Sequence, residues 1–471
     1  MFPHLTIAYW LTLHGLVTVV AVLLYIIASH VLHQRRHPTA AIAWVLFILL
    51  MPYVALPAFL TFGSRKQARP RNRAALVAAE PAATVAEVSW AVQTAAALGQ
   101  PAPAAYHALH LHADGAEALA ALWQTIDGAA HSIDLCTFIV GDDVLGAQVI
   151  ERLCARARDG VKVRLMLDGL GRLMGGRPDL QPLKDCGGVV TLFVPPLHSP
   201  LKGRTNLRDH RKLLVADAAF ESRRVWSGGR NLAAEYFEGK AGSAPWHDLS
   251  FDLSGPLVLQ AHALFEHDWA FANGHQAAAD ATSTVTTPAA TAPAACAQLV
   301  ASGPDQIDDT VHALLVTAAY RAHRHIQLVT PYFVPDASLL MALCLAARRG
   351  VVVELLLPAR SNHRLSDVAR RRALRALTAA GARVWLVPHM QHAKLAVIDN
   401  VVALTGSTNL DSRSLFLNYE LMFAFHDGDA VAGCAAWFEQ ERLLAVQHVP
   451  GKAGLFSDLA EGLVLWVGFQ L

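Results

Sequence analysis

Apolar and polar positions divide the chain into unlike stretches. From Leu5 to Leu32 nearly every position is apolar, interrupted by His14 and His30, and the 21 residues from Ile42 to Phe62 carry no charge. At about 1.5 Å per residue each run can cross a hydrocarbon layer of about 30 Å, so the pattern predicts two membrane-spanning helices. Tyr9, Trp10 and Trp44 stand near run ends, where interfacial aromatics belong. Pro52 and Pro57 are expected to kink the second helix, which membrane helices tolerate. A cleaved signal peptide fits the first run poorly, because it is too long, lacks a basic start and is followed at once by a second apolar run. Arg35 and Arg36 lie between the runs, whereas Arg65, Lys66, Arg69, Arg71 and Arg73 follow them. That excess places the C-terminal side, and with it the amino end, in the cytoplasm.

Beyond these runs the period changes. Residues 67–105 read as an Ala/Pro-rich connector, partly helical. A β-branched run at Ile133–Thr137 then leads through Asp143 and a helical stretch to Gly160-Val-Lys-Val-Arg-Leu-Met-Leu. The same order returns at Ile326–Thr330, Asp336 and Gly350-Val-Val-Val-Glu-Leu-Leu-Leu. Both read strand, helix, strand. Further on, His210-Arg-Lys-Leu-Leu-Val-Ala-Asp217 matches His392-Ala-Lys-Leu-Ala-Val-Ile-Asp399, and Gly228-Gly-Arg-Asn231 matches Gly406-Ser-Thr-Asn409. A duplicated α/β unit with a pseudo-twofold axis explains this economically. The expected organisation is a two-helix membrane module (1–66), the connector (67–105), a first α/β domain (106–275), a low-complexity linker (276–297), a second α/β domain (298–454) and an apolar tail (455–471). The tail has apolar residues at helical spacing and suits either the core or a membrane surface.

Composition changes this picture little. The 471 residues are 54% hydrophobic and 16% charged, which fits membrane contact, and a net charge of +1 offers no general attraction to nucleic acid. Six scattered cysteines include no Cys-x-x-Cys pair, so neither a zinc site nor a disulfide framework is expected. His107, His110 and His112 alternate without a matching carboxylate cluster, and no metal is expected there either.

The repeated motif carries the chemistry. On a strand, residues two apart share a face, so His210 with Lys212, and His392 with Lys394, point the same way. Asn231 and Asn409 arrive on the returning strands. Two copies facing one another collect two imidazoles, two ammoniums and two amides about one point. That set suits displacement at phosphorus: one histidine attacks, the other protonates the leaving oxygen, and lysine and asparagine hold the non-bridging oxygens. Gly228, Gly229 and Ser407 are expected to let the backbone approach the phosphate. A nucleophilic histidine needs an acidic partner on its far nitrogen. Glu420 follows His392 in an apparent strand, and Asp248 holds the corresponding place in the first copy, so each is expected to orient the histidine of its own copy. Asp217 and Asp399 complete the motif and are grouped with the catalytic residues, although their place at strand ends suits fixing a turn. Arg370, Arg371 and Arg372 read as a solvated helix face, and His323 and His325 as solvated.

These residues resemble the phospholipase D superfamily, and within it the bacterial cardiolipin synthase family, over nearly the whole chain. The resemblance rests on Asn206-Leu-Arg-Asp-His-Arg-Lys212, Gly228-Gly-Arg-Asn231, Trp246-His-Asp248, Thr330-Pro-Tyr-Phe-Val-Pro-Asp336, Gly406-Ser-Thr-Asn-Leu-Asp-Ser-Arg-Ser414 and Asn418-Tyr-Glu420. It departs at Trp-His-Asp, where the family usually has Trp-Arg-Asp, in the longer Asp217–Gly228 spacer, and at Trp385-Leu-Val-Pro-His-Met-Gln391. The resemblance implies two phospholipase D-like α/β domains behind a transmembrane hairpin in the bacterial inner membrane. It implies transfer of a phosphatidyl group between two phosphatidylglycerol molecules through a phosphohistidine, with no metal or other cofactor. His210 is the favoured nucleophile and His392 the acid/base. A hydrolase, or a transferase using phosphatidylethanolamine or another alcohol, remains the alternative. Intact half-sites disfavour a non-enzymatic scaffold.

Overall fold

The computed structural model describes residues 3–31, 38–62, 89–195, 206–240, 242–274, 295–306 and 308–451, with positions 454, 461, 462 and 464. The apolar tail, expected at either the core or a membrane surface, lies almost wholly outside the described residues.

Two sheets with one plan make up the body. In the first, the strands run in the order His107–His112, Ser250–Ser254, Arg224–Gly228, Leu213–Ala216, Ser132–Thr137, Lys162–Asp168 and Val189–Phe193. The second repeats that order with Cys296–Ser302, Asn418–Phe425, Val402–Gly406, Leu395–Ile398, His325–Val329, Val352–Pro358 and Arg383–Val387. In both, the last three strands are parallel and the others pair antiparallel. Each parallel pair needs a crossover, and the helices Val144–Arg158 and Ala337–Arg348 supply the first one in each sheet. Asp143 and Asp336 cap these helices, each accepting from backbone N–H groups of the first turn.

The sheets meet through an aromatic seam. Phe251 of the first packs edge-on against Phe423 of the second at 4.9 Å, and Phe193 against Tyr419 at 4.9 Å. All four are buried, and each ring removed from water contributes about 1.5–3 kcal/mol. Two expected boundaries shift. The strand Cys296–Ser302 begins inside the expected linker, and within the connector Trp90–Ala97 is helical while Ala104–Ala105 pairs with Ala297 and Cys296 at the edge of the second sheet. Arg370 is buried, donating to the carbonyls of Pro358 and Ala359 at 2.9 Å, and His325 Nε2 lies 2.8 Å from Glu354. Arg371, Arg372 and His323 are exposed as expected, whereas Arg370 is buried and His325 half-buried because a strand end or carboxylate stands within reach of the side chain.

Near the amino end, Pro3–Val31 is one helix, while Pro38–Leu50 and Pro52–Phe62 are two helices meeting around Met51. They pack through Ala21, Tyr25, Ile48, Ala55 and Phe59. Among the described residues, no helix is long and apolar enough to cross a membrane.

Candidate active site

The two His-x-Lys segments precede equivalent strands, Leu213–Ala216 and Leu395–Ile398. Alternation sends His and Lys to one side and the residue between them to the other. Between His210 and Lys212, Arg211 is buried, bonded to Asp268 and donating from Nε to the Glu420 carbonyl at 3.0 Å. Ala393 holds the equivalent place in the second unit and is fully buried.

Each histidine is oriented by the opposite unit. His210 Nδ1 lies 3.1 Å from Glu420 Oε2, and His392 Nδ1 lies 2.7 Å from Asp248 Oδ2. The expectation that each carboxylate serves its own copy is therefore corrected. The backbone explains the crossing. Arg208–Asp209 pairs in parallel with Asn418–Tyr419, and the His210 N–H donates to the Tyr419 carbonyl at 2.9 Å. In the mirror position, His247 bridges Gln391, and the His392 N–H donates to the His247 carbonyl at 2.7 Å. Each histidine is thus stitched beside the other unit's carboxylate.

Both carboxylates are buried and held in their charged form. Burial pushes Asp248 up, but Lys394 and His392 outweigh it and leave it below the ordinary range. Glu420 is lowered likewise, with burial overcome by His210 and Lys212. It also accepts from the Ser407 hydroxyl at 2.5 Å and the Asn418 amide at 3.3 Å. Burial pulls both histidines down, His392 to about 3 with Lys394 as the next cause. The lysines fall as well, Lys212 to about 8 and Lys394 to about 7, again mainly through burial. Lys394 also lowers His210, and Lys212 lowers His392, so each half-site lies within reach of the other's charge.

With both imidazoles neutral, two ammoniums and two carboxylates balance. Lys212 Nζ donates to the His210 carbonyl at 2.6 Å, and Lys394 Nζ lies 2.8 and 3.1 Å from the ring nitrogens of His392. Tyr236 and Trp246 flank His392 at 5.0 and 5.5 Å, and Phe138 meets His210 at 5.1 Å. These aromatics and the Asn418 contact carry no signal in the bare His-x-Lys spacing.

Asn231 donates to the Tyr236 hydroxyl at 2.8 Å. The side-chain oxygens of Asn231 and Asn409 are buried without a partner among the described residues. Rotating either amide exchanges that oxygen for an NH2 group, so each can turn donors toward an anion.

Gly228, Gly229 and Ser407 have duties within the protein beside the expected approach to phosphate. The Gly229 N–H donates to the Leu249 carbonyl, and the Ser407 N–H to the Leu421 carbonyl. A Cβ at Gly229 would stand 2.2 Å from Asp248 Oδ1, and one at Gly228 2.4 Å from the Leu249 carbonyl oxygen. The glycines make room for an orienting carboxylate, and Ser407 holds the other one.

Asp217 and Asp399, grouped with the catalytic residues from the motif, lie beyond the far ends of their strands. Seven residues of extended chain are roughly 23 Å, which puts them far from the histidines. Asp217 accepts from the N–H groups of Ala130, His131 and Ser132, and Asp399 from those of His323, Arg324 and His325. Both take left-handed backbone, with φ of 51° and 52°. They anchor turns.

The description "Cardiolipin synthase, PLD-like domain" matches residues 315–442, and "Phospholipase_D-nuclease N-terminal" matches residues 17–64. Cardiolipin synthase A of Pseudomonas fluorescens (strain SBW25) is 30% identical over 438 residues, spanning 89% of this chain and 88% of that protein. The chain belongs to the cardiolipin synthase family. Cardiolipin synthase A of Shigella flexneri is likewise 30% identical over 465 residues, covering 93% of this chain and 92% of that protein. Phosphatidylserine synthase of Haemophilus influenzae Rd KW20 shares the fold, with a TM-score of 0.63 at 14% identity over 81% of this chain and all of that one. In this cardiolipin synthase family member, the 315–442 match holds His392, Lys394, Asn409 and Glu420, whereas their counterparts at 210–248 come from the duplicated first unit.

Proposed function

We propose that the chain joins two phosphatidylglycerol molecules into cardiolipin and glycerol, with the crossed half-sites as the reaction centre. The observation that carries this reading is that each of two neighbouring His–Lys pairs has a buried, charged carboxylate on the histidine Nδ1. Such a carboxylate keeps the proton on Nδ1 and leaves Nε2 free to act.

His210 is the more open imidazole, 13% exposed against 5% for His392, and we assign it the attack. Its Nε2 bonds to phosphorus, the P–O bond to glycerol breaks, and the departing oxygen takes a proton from His392. Burial and Lys394 hold His392 neutral before the substrate docks. An arriving phosphodiester anion offsets burial and Lys394, so the proton is taken up as substrate docks. The headgroup hydroxyl of a second phosphatidylglycerol then gives its proton to His392 and attacks phosphorus, releasing His210. One phosphodiester replaces another, so no further energy source is needed. Lys212, Lys394, Asn231 and Asn409 hold the charged oxygens throughout.

The lysines give the reaction an alkaline limit. The ammonium forms bind phosphate, so kcat/KM should fall as pH rises through about 7 to 8, as Lys394 and then Lys212 lose their protons. In saturating lipid the fall should move to higher pH, because bound anion stabilises both ammoniums. A pH–rate profile in mixed micelles measures both, and a flat kcat/KM through that window would remove the lysines from phosphate binding.

A membrane hairpin over the first 62 residues completes the proposal, with residues 106–275 and the second unit from Cys296 as catalytic domains on the cytoplasmic side of the inner membrane. Leu16, Val19, Leu23, Ile26 and Ile27 on the helix Pro3–Val31, with Leu46, Leu49 and Leu50 on the next helix, are exposed apolar side chains that suit a lipid environment.

Purified chain with phosphatidylglycerol alone should release glycerol and diphosphatidyl product. Phosphatidic acid without that product would make it a hydrolase. Diphosphatidyl product only on adding phosphatidylethanolamine would identify a different donor.

A further inference from the structure

Behind the reaction centre lies a second group of polar side chains that the phosphoryl chemistry does not use. His247 Nδ1 lies 3.0 Å from Glu441 Oε1, and His389 Nε2 lies 2.9 Å from Glu441 Oε2. Gln391 donates to the same Oε2 at 2.8 Å. The imidazoles stack at 3.6 Å between centroids. One nitrogen from each ring and a carboxylate oxygen of Glu441 lie within 4.8 Å of one another.

Three features separate this group from ordinary surface ion pairs. First, the backbone presets it across the seam between the units: the His247 N–H donates to the Met390 carbonyl at 2.9 Å, and the His392 N–H to the His247 carbonyl at 2.7 Å. Second, among the described residues no cationic side chain already occupies it. Two other groups of similar composition already hold one, since Arg164 bonds Asp134 and Glu266 in one and Arg211 bonds Asp268 in the other. Among the described residues, neither an arginine nor a lysine pairs with Glu441. Third, Glu441 and His389 are mostly buried while His247 is 37% exposed, so ligands converge below an opening to solvent.

We propose that His247, His389 and Glu441 form a site for one divalent transition-metal ion that fastens the first unit to the second. Two imidazoles and a carboxylate suit zinc, cobalt or nickel, and three protein ligands leave further positions to water. Binding would replace the hydrogen bonds to Glu441 with metal–ligand distances of about 2.0–2.2 Å and turn the stacked imidazoles so that both lone pairs meet the ion. The sequence conceals the group, because Glu441 lies 194 residues from His247 and 52 from His389. Two of these ligands fall within the stretches where the sequence departs from the family pattern, Trp246-His-Asp248 and Trp385–Gln391. The ion lies outside the proposed phosphatidyl-transfer steps, and the inference stands whether or not that reading holds.

The test uses full-length chain in detergent, stripped with chelator and titrated with Co2+. One equivalent should bind and give the visible d–d absorption of a low-coordinate nitrogen/oxygen site, displaced by Zn2+. The thermal midpoint should rise with metal, because only the folded chain assembles the ligands. His389→Ala and Glu441→Gln should each weaken binding at least about tenfold and abolish the shift; Glu441→Gln keeps polar groups facing both imidazoles, which guards against simple misfolding. No stoichiometric uptake by folded wild-type chain, or uptake unchanged in both variants, would overturn the proposal.

Discussion

His210→Ala and His392→Ala should each reduce phosphatidyl transfer by at least about 10^3-fold, and the double variant should be little worse than either single one. Each histidine serves both halves of the reaction, so losing one strands the other. Release of labelled glycerol from phosphatidylglycerol measures the loss, and substantial activity in either variant would sink the two-histidine mechanism. The variants also separate the roles. A phosphatidyl ester with a good leaving group, such as nitrophenolate, needs no acid. With that substrate, His392→Ala should still form a phosphatidyl-enzyme and His210→Ala should not. The opposite result would exchange the two assignments while keeping the mechanism.

The crossed carboxylates lead to the second large effect. Asp248→Asn keeps the shape of the side chain but allows its amide to donate toward His392 Nδ1, moving the ring proton to Nε2. Glu420→Gln does the same to His210. Each should cost about 10^2- to 10^4-fold in kcat, as expected when an imidazole is locked in the wrong tautomer. Double-mutant cycles reveal the pairing directly. His392 should couple to Asp248 and His210 to Glu420, while the same-unit pairs His210/Asp248 and His392/Glu420 should be nearer additive. Strong coupling only within units would contradict the crossing. Gly229 supports the same geometry, because a side chain there would meet Asp248 at 2.2 Å.

Much of this architecture was legible from local pattern. The two strand–helix–strand repeats appear in equivalent places of the two sheets, and both helices are capped by the aspartates that punctuate the sequence, Asp143 and Asp336. The His-x-Lys spacing predicted a shared face because strand alternation is a property of the backbone. Motif membership misled at Asp217 and Asp399. Their carboxylates satisfy three backbone N–H groups apiece at the far strand ends, a recurrent structural need that repeats with the unit just as chemistry does. Gly229 and Ser407 also serve the two orienting carboxylates, a duty that the motif does not announce.

By itself the sequence pointed to two half-sites, to the His–Lys pair at the head of each, and to the need for a carboxylate on each histidine. Those are consequences of spacing along one strand or one repeat. Only the tertiary structure decided which carboxylate serves which histidine. That choice depends on Arg208–Asp209 lying beside Asn418–Tyr419, and on His247 lying beside Gln391, across the seam between units. The same seam brings His247 to His389 and Glu441. Contacts between segments far apart in the chain arise from packing two twisted sheets face to face, and residue spacing does not encode which edges meet.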